Sequence, residues 1–271
     1  MSTKKQQDEN GIEDTVFDPP ETSPERRRIK RVPMRILVPN ALTLLALCAG
    51  VSAIRMGADG RFELAVALVV IAAIFDALDG RVARMLKGTS KFGAELDSLA
   101  DFVNFGVAPA LLIYFWSLTE LKNLGWVGAL MLAICCALRL ARFNVALDDS
   151  DAPAWKAGFF SGVNAPAGAM LAMAPMYLGF LGFFDGREAS PAILPYIVMV
   201  GLLMVSRVPT YSGKTLGQRI SREWVMPTLL VVAVFAALLA SYPWVMMSLL
   251  AGLYLCAIPF SYMSYQKHAR K

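Results

Sequence analysis

Apolar residues along this chain gather into long runs divided by short polar links. Eight such runs can be drawn, at 36–54, 62–80, 98–118, 124–145, 165–184, 191–206, 225–241 and 244–264. Most approach the roughly 20 residues that a helix needs to cross about 30 Å of hydrocarbon. Pro109, Pro166, Pro175 and Pro195 fall inside the runs, and membrane helices tolerate such residues better than soluble ones do. The pattern predicts an all-α integral membrane protein, a polytopic helix bundle.

Composition agrees. Of 271 residues, 56% are apolar and only 17% charged, against about 45–50% and about 25% in ordinary soluble domains. A disordered chain, a fibrous protein and most soluble enzymes are excluded. Residues 1–25 are acidic and proline-containing, with no apolar core of a signal peptide. Residues 1–33 therefore read as a disordered cytoplasmic tail. Its basic cluster, Arg26, Arg27, Arg28, Lys30 and Arg31, continues to Arg35. That cluster either lies on anionic head groups or serves as a plain topology signal. With the N-terminus in the cytoplasm and the runs alternating, 22 Lys and Arg fall on the cytoplasmic side and 4 on the other. The excess is what the positive-inside rule requires, with both termini cytoplasmic.

Cys48, Cys135, Cys136 and Cys256 lie inside apolar runs and show no metal spacing. The single histidine, His268, is three residues from the end. A metal in this protein must therefore be held by oxygen.

Ionisable residues within a span are costly, about 2.5–3.5 kcal/mol for Asp on insertion scales, and mark function by default. The second run ends with Asp76 and Asp79, and the third is entered through Asp97 and Asp101. Spacings of three and four residues put each pair on one helical face. The short link makes the two helices antiparallel neighbours, so the four carboxylates converge near the cytoplasmic end. Together they repel one another, and a divalent cation resolves the repulsion. An all-oxygen donor set favours Mg²⁺ or Mn²⁺ over Zn²⁺, in company with substrate phosphates. Gly80 and Ala83 keep that face small, Arg84 offers a fork for phosphate, and Gly93 opens space one turn before Asp97. The plainer alternatives are tight helix packing for the small residues and an ion-pair network with Arg81 and Arg84 for the aspartates.

The order Asp76-x2-Asp79-Gly80-x2-Ala83-Arg84-x8-Gly93-x3-Asp97-x3-Asp101 resembles, without a departure, the signature of the CDP-alcohol phosphotransferases. The resemblance implies a core of six transmembrane helices, usually dimeric, with a site open to the cytoplasm at bilayer depth. The core would span 34–222, and 223–271 would add two transmembrane helices and a short basic tail. It implies that Asp76, Asp79 and Asp97 bind metal, and that Asp101 is both metal ligand and base. Gly80, Ala83 and Arg84 would contact the CDP moiety of CDP-diacylglycerol, with Gly93 making room. Asn40 and Thr43 match an Asn-x-x-Thr common in the family's first helix and would face the nucleotide; alternatively Asn40 caps that helix. An alcohol would attack the phosphorus bearing the diacylglycerol and CMP would leave.

Three later runs, Arg142-Phe143-Asn144, Gly162-x3-Pro166-Ala167 and Ser206-x5-Ser212-x-Lys214, resemble the bacterial phosphatidylserine synthases of this family. Asn164-Ala165-Pro166-Ala167-Gly168 departs from the Pro-Pro-Ala-Ala often found there. The likeness implies L-serine as acceptor, membrane lipids as surroundings, no nucleic-acid partner and a bacterial inner membrane. Arg142 or Lys214 could meet the serine carboxylate and Asn144 its ammonium; as the alternative, Arg142 and Lys214 are snorkelling anchors. Asp148, Asp149 and Asp151 disfavour a phosphorylated acceptor such as glycerol 3-phosphate. Inositol and choline remain open acceptors, and a cation channel or transporter and a scaffold with a structural metal remain alternative classes.

Overall fold

The computed structural model describes residues 34–88, 90–147, 159–206, 209–211 and 224–269. The expected tail 1–33, the acidic residues 148, 149 and 151, and Lys214 lie outside them. Each of the eight apolar runs is helical. They form α1 (Met34–Ala58), α2 (Phe62–Met85), α3 (Lys91–Asp101) with α4 (Ala108–Trp116), and α5 (Lys122–Leu147). Then follow α6 (Ala165–Ala172) with α7 (Ala174–Phe180), α8 (Ser190–Val205), α9 (Val225–Ser241) and α10 (Pro243–Ala269). Among the described residues the one β element is a small ribbon of β1 (Phe159–Ser161) and β2 (Pro209–Tyr211), paired antiparallel with Phe160 opposite Thr210.

Among the described residues four stretches are long and apolar enough to cross a membrane: Met34–Ala58, Lys91–Trp116, Leu118–Val145 and Pro243–Ser261. α2 is 24 residues long, but it carries Glu63, Asp76, Asp79, Arg81 and Arg84. The fifth, sixth and seventh runs form shorter apolar helices, Ala165–Phe180, Ser190–Val205 and Val225–Ser241. The outside of the protein is greasy. On α9, Leu230 and Val231 are 66% and 67% exposed, a surface that water would punish and lipid accepts. The protein is an all-α multi-pass membrane protein.

Small residues decide how the helices pack. In α1 the buried set Thr43, Ala46, Gly50, Ala53 and Gly57 repeats every three or four residues. In α2 the buried set is Ala65, Val66, Val69, Ala72 and Asp79. The stripe 65, 69, 72, 76, 79 thus runs straight into the two aspartates. Small side chains let two backbones approach closely, which suits association where burial from water gives no drive. The α1–α2 corner closes with Arg61 N–H donating to the Met56 carbonyl at 2.8 Å. Gly60 sits there at φ +76°, a left-handed conformation that favours glycine. The corner turns α2 back along α1, so Thr43 near the start of one reaches Asp79 near the end of the other.

α1 is the partner common to α2, α3 and α4, and α2 also meets α4. The pairing of aspartates foreseen from a simple α2–α3 hairpin therefore rests on α1, which packs along both. Between α3 and α4 the chain widens into a π-helical turn, Phe102–Val107. It lies just before Pro109, which has no N–H to offer the Phe105 carbonyl. Phe105, Leu112, Ile113, Met173, Met176, Tyr177, Ile197 and Met204 are among the large side chains of the core.

Candidate active site

Three carboxylates meet where α2 and α3 end. Oxygens of Asp76, Asp97 and Asp101 all lie within 4.8 Å of one another. Asp101 Oδ1 is buried and has no hydrogen-bond partner among the described residues. Arg139 of α5 is the positive charge that acts on Asp101, while Asp76 and Asp97 repel it. Its Nε donates to the Val163 carbonyl at 2.9 Å, and its guanidinium sits 5.7 Å from the Phe143 ring centre. Three convergent oxygens, one of them buried and unpartnered, are a donor set that suits a hard divalent cation.

Asp79 stands outside this group. It is 4% exposed and accepts a hydrogen bond from Thr43 Oγ1 at 2.6 Å. The same hydroxyl lies 3.1 Å from the Pro39 carbonyl. The four aspartates are thus three plus one, with the fourth fixed by α1.

A cleft of about 210 Å³ opens beside the cluster, lined by Asn40, Thr43, Asp79, Gly80, Ala83, Ser90, Gly93, Ala94 and Asp97. Seven of these were singled out from the sequence. Asp97 belongs to both the cleft and the carboxylate group. Asn40 lies within α1, which begins at Met34, so it is not that helix's cap. At Gly93 a Cβ would come 2.8 Å from Asn40 Oδ1 and 3.1 Å from Ser90 Oγ; the glycine makes room for these polar atoms. At Gly80 a Cβ would meet no described atom within 4 Å. It would project into open space, so helix packing does not explain the glycine. Arg84 is absent from the lining and its Nε donates to the Gly80 carbonyl at 3.0 Å. Ser90 and Ala94 were not foreseen. The signal for Ser90 was its place before a helix, where its hydroxyl caps Gly93 N–H at 3.0 Å.

The residues expected to meet an acceptor are disposed differently. Arg142 donates to the carbonyls of Val205 at 2.7 Å and Ser206 at 3.1 Å. These close the end of α8 just before β2. Asn144 Nδ2 donates to Ser98 Oγ at 3.0 Å, next to Asp97 in sequence. Asn164 caps α6, accepting from Ala167 N–H at 3.2 Å, which gives a structural use to the departure at 164–168. The ribbon brings residues 159–161 and 209–211 together.

Comparison with known proteins bears on this arrangement. Residues 36–208 match the family model described as CDP-alcohol phosphatidyltransferase, and 223–259 match one described as CDP-alcohol phosphatidyltransferase 2. A CDP-diacylglycerol–serine O-phosphatidyltransferase of Mycobacterium leprae is 38% identical over 237 residues, 87% of this chain and 78% of its own length. The protein of the same name from Mycobacterium tuberculosis (strain H37Rv) is 39% identical, covering 83% of this chain and 78% of its own. That of Helicobacter pylori (strain 26695) is 35% identical, covering 81% and 88%.

Proposed function

The chain belongs to the CDP-alcohol phosphatidyltransferase family, and on that premise we propose that it transfers the phosphatidyl group of CDP-diacylglycerol to L-serine, releasing CMP. One observation carries this reading: Asp97 is shared between the cleft and the carboxylate cluster. A nucleotide in the cleft therefore places its diphosphate against Asp76, Asp97 and Asp101. A divalent cation held by these residues, with Asp79 alongside, is Mg²⁺ or Mn²⁺ and supplies charge neutralisation for the diphosphate when bound.

Each residue then has a task. Thr43 holds Asp79 in place through its hydroxyl. Asn40, Thr43, Gly80, Ala83 and Gly93 receive the CDP moiety, and Arg84 reaches it from the rim. Asp101 takes the proton of the serine hydroxyl. The hydroxyl oxygen bonds to the phosphorus that carries the diacylglycerol, the bond from that phosphorus to the CMP oxygen breaks, and CMP leaves with the electron pair. Arg142, Asn144 and Lys214 hold the serine; the bond from Asn144 to Ser98, the residue after Asp97, supports this for Asn144. The relatives' names support serine, and the acidic residues 148, 149 and 151 disfavour a phosphorylated acceptor. The reading includes a homodimer in a bacterial inner membrane. Both termini and the cleft face the cytoplasm, as the count of 22 against 4 positive charges supports.

The test is CMP release from CDP-diacylglycerol and Mn²⁺ by purified protein in mixed micelles. L-serine, glycerol 3-phosphate, inositol and choline are added singly. Release that requires serine is expected; release with another alcohol alone overturns the acceptor. Gly80→Ala provides a second check. Its methyl group enters the cleft and no described atom. The melting temperature is expected to hold or rise, since Ala favours a helix by about 0.5–1 kcal/mol. The KM for CDP-diacylglycerol is expected to rise about tenfold, the scale of a misplaced methyl in a packed site.

A further inference from the structure

Asn104 lies in the π-helical turn, three residues beyond Asp101. It is fully buried, and both Nδ2 and Oδ1 lack a hydrogen-bond partner among the described residues. A buried carboxamide with neither end partnered is rare in folded proteins and calls for an explanation. One unpartnered atom is close along the chain: Asp101 Oδ1, also buried. Among the described residues Asp101 Oδ1 is an acceptor without a donor, and Asn104 Nδ2 is a donor without an acceptor. Side chains three residues apart on a helix can reach each other, and amide–carboxylate pairs of this kind form hydrogen bonds.

Two further features fit. Gly50 of α1 packs against this amide so closely that a Cβ there would overlap Asn104 Oδ1. The small residue therefore admits the carboxamide. The π turn changes the register at which side chains leave the helix after Asp101, and such turns recur at functional sites. A leucine at 104 would leave no amide to satisfy.

We propose that Asn104 is a positioning residue for Asp101: one buried water joins its Nδ2 to Asp101 Oδ1 and fixes that carboxylate among Asp76, Asp97 and Arg139. This rests on the reading of Asp101 as a site residue. Fixing Asp101 against the pull of Arg139 and the push of two carboxylates keeps its oxygens aimed at the metal and the acceptor hydroxyl.

The experiment compares wild type, Asn104→Leu and Asn104→Ser in the same micelles. Leucine keeps the bulk and removes both polar atoms; serine keeps a donor. Three readouts are taken: melting temperature without metal, the Mn²⁺ concentration that half-maximally raises the melting temperature, and kcat and KM for CMP release. Asn104→Leu is expected to stay folded and to melt only a few degrees lower than wild type without metal, because Asp101 Oδ1 loses its donor while the bulk at 104 is kept. Its Mn²⁺ midpoint is expected to rise at least fivefold and its kcat to fall at least tenfold, with KM for CDP-diacylglycerol within twofold. Asn104→Ser is expected to recover at least a third of the lost kcat. An unchanged Mn²⁺ midpoint in Asn104→Leu, or a serine variant as impaired as the leucine one, overturns the proposal. If wild type releases no CMP with any alcohol, the proposed reaction fails, and the Mn²⁺ midpoint still decides the role of Asn104.

Discussion

Asp101→Asn is expected to lower the rate of CMP release by about 10²–10⁴-fold, the usual contribution of a positioned base, while the protein stays folded. The substitution keeps the shape of the side chain and removes its charge and its capacity to accept a proton. It also removes one of three negative charges whose oxygens lie within 4.8 Å of one another. Metal-free protein should therefore melt no lower than wild type, since the repulsion within the cluster is relieved. Turnover measured beside thermal melting separates the two effects. A variant that melts normally and turns over within threefold of wild type would remove Asp101 from the chemistry.

Asp76→Asn is expected to act on the metal. Losing one of three convergent carboxylates should raise the half-saturating Mn²⁺ concentration by at least tenfold; even outer-shell partners of metal ligands cost about 10–100-fold. Excess Mn²⁺ should restore part of the rate, which it should not do for Asp101→Asn if that residue is the base. Titrating turnover with Mn²⁺ for both variants checks the contrast. Equal metal dependence in Asp76→Asn and wild type would contradict the assignment of the cluster.

Much of this architecture was legible before the structure. The eight apolar runs match the helical segments because the length that crosses hydrocarbon is fixed by helix rise. The Asp-Asp-Gly-Ala-Arg-Gly-Asp-Asp spacing pointed to carboxylates of which the structure gathers Asp76, Asp97 and Asp101, because the cost of burying charge in a span leaves few other reasons for it. The division of the aspartates into three plus one was not legible. It depends on Thr43, 36 residues away from Asp79, and on α1 standing against both α2 and α3. Arg142 and Asn144 could be named but not placed, because Val205, Ser206 and Ser98 are distant in sequence. Asn104 escaped notice for a different reason. Its register depends on a π turn, and an isolated Asn in an apolar run carries no spacing signal.

The central claim is that this chain joins a phosphatidyl group to serine. Its most direct test is mass spectrometry of the lipid formed from CDP-diacylglycerol and ¹³C-labelled L-serine, with Mn²⁺ and purified protein. The account predicts ¹³C-labelled phosphatidylserine in amounts equal to the CMP released, and at least about a hundredfold less from Asp101→Asn in the same time. CMP released without labelled lipid, or no CMP from folded protein supplied with metal, would contradict it.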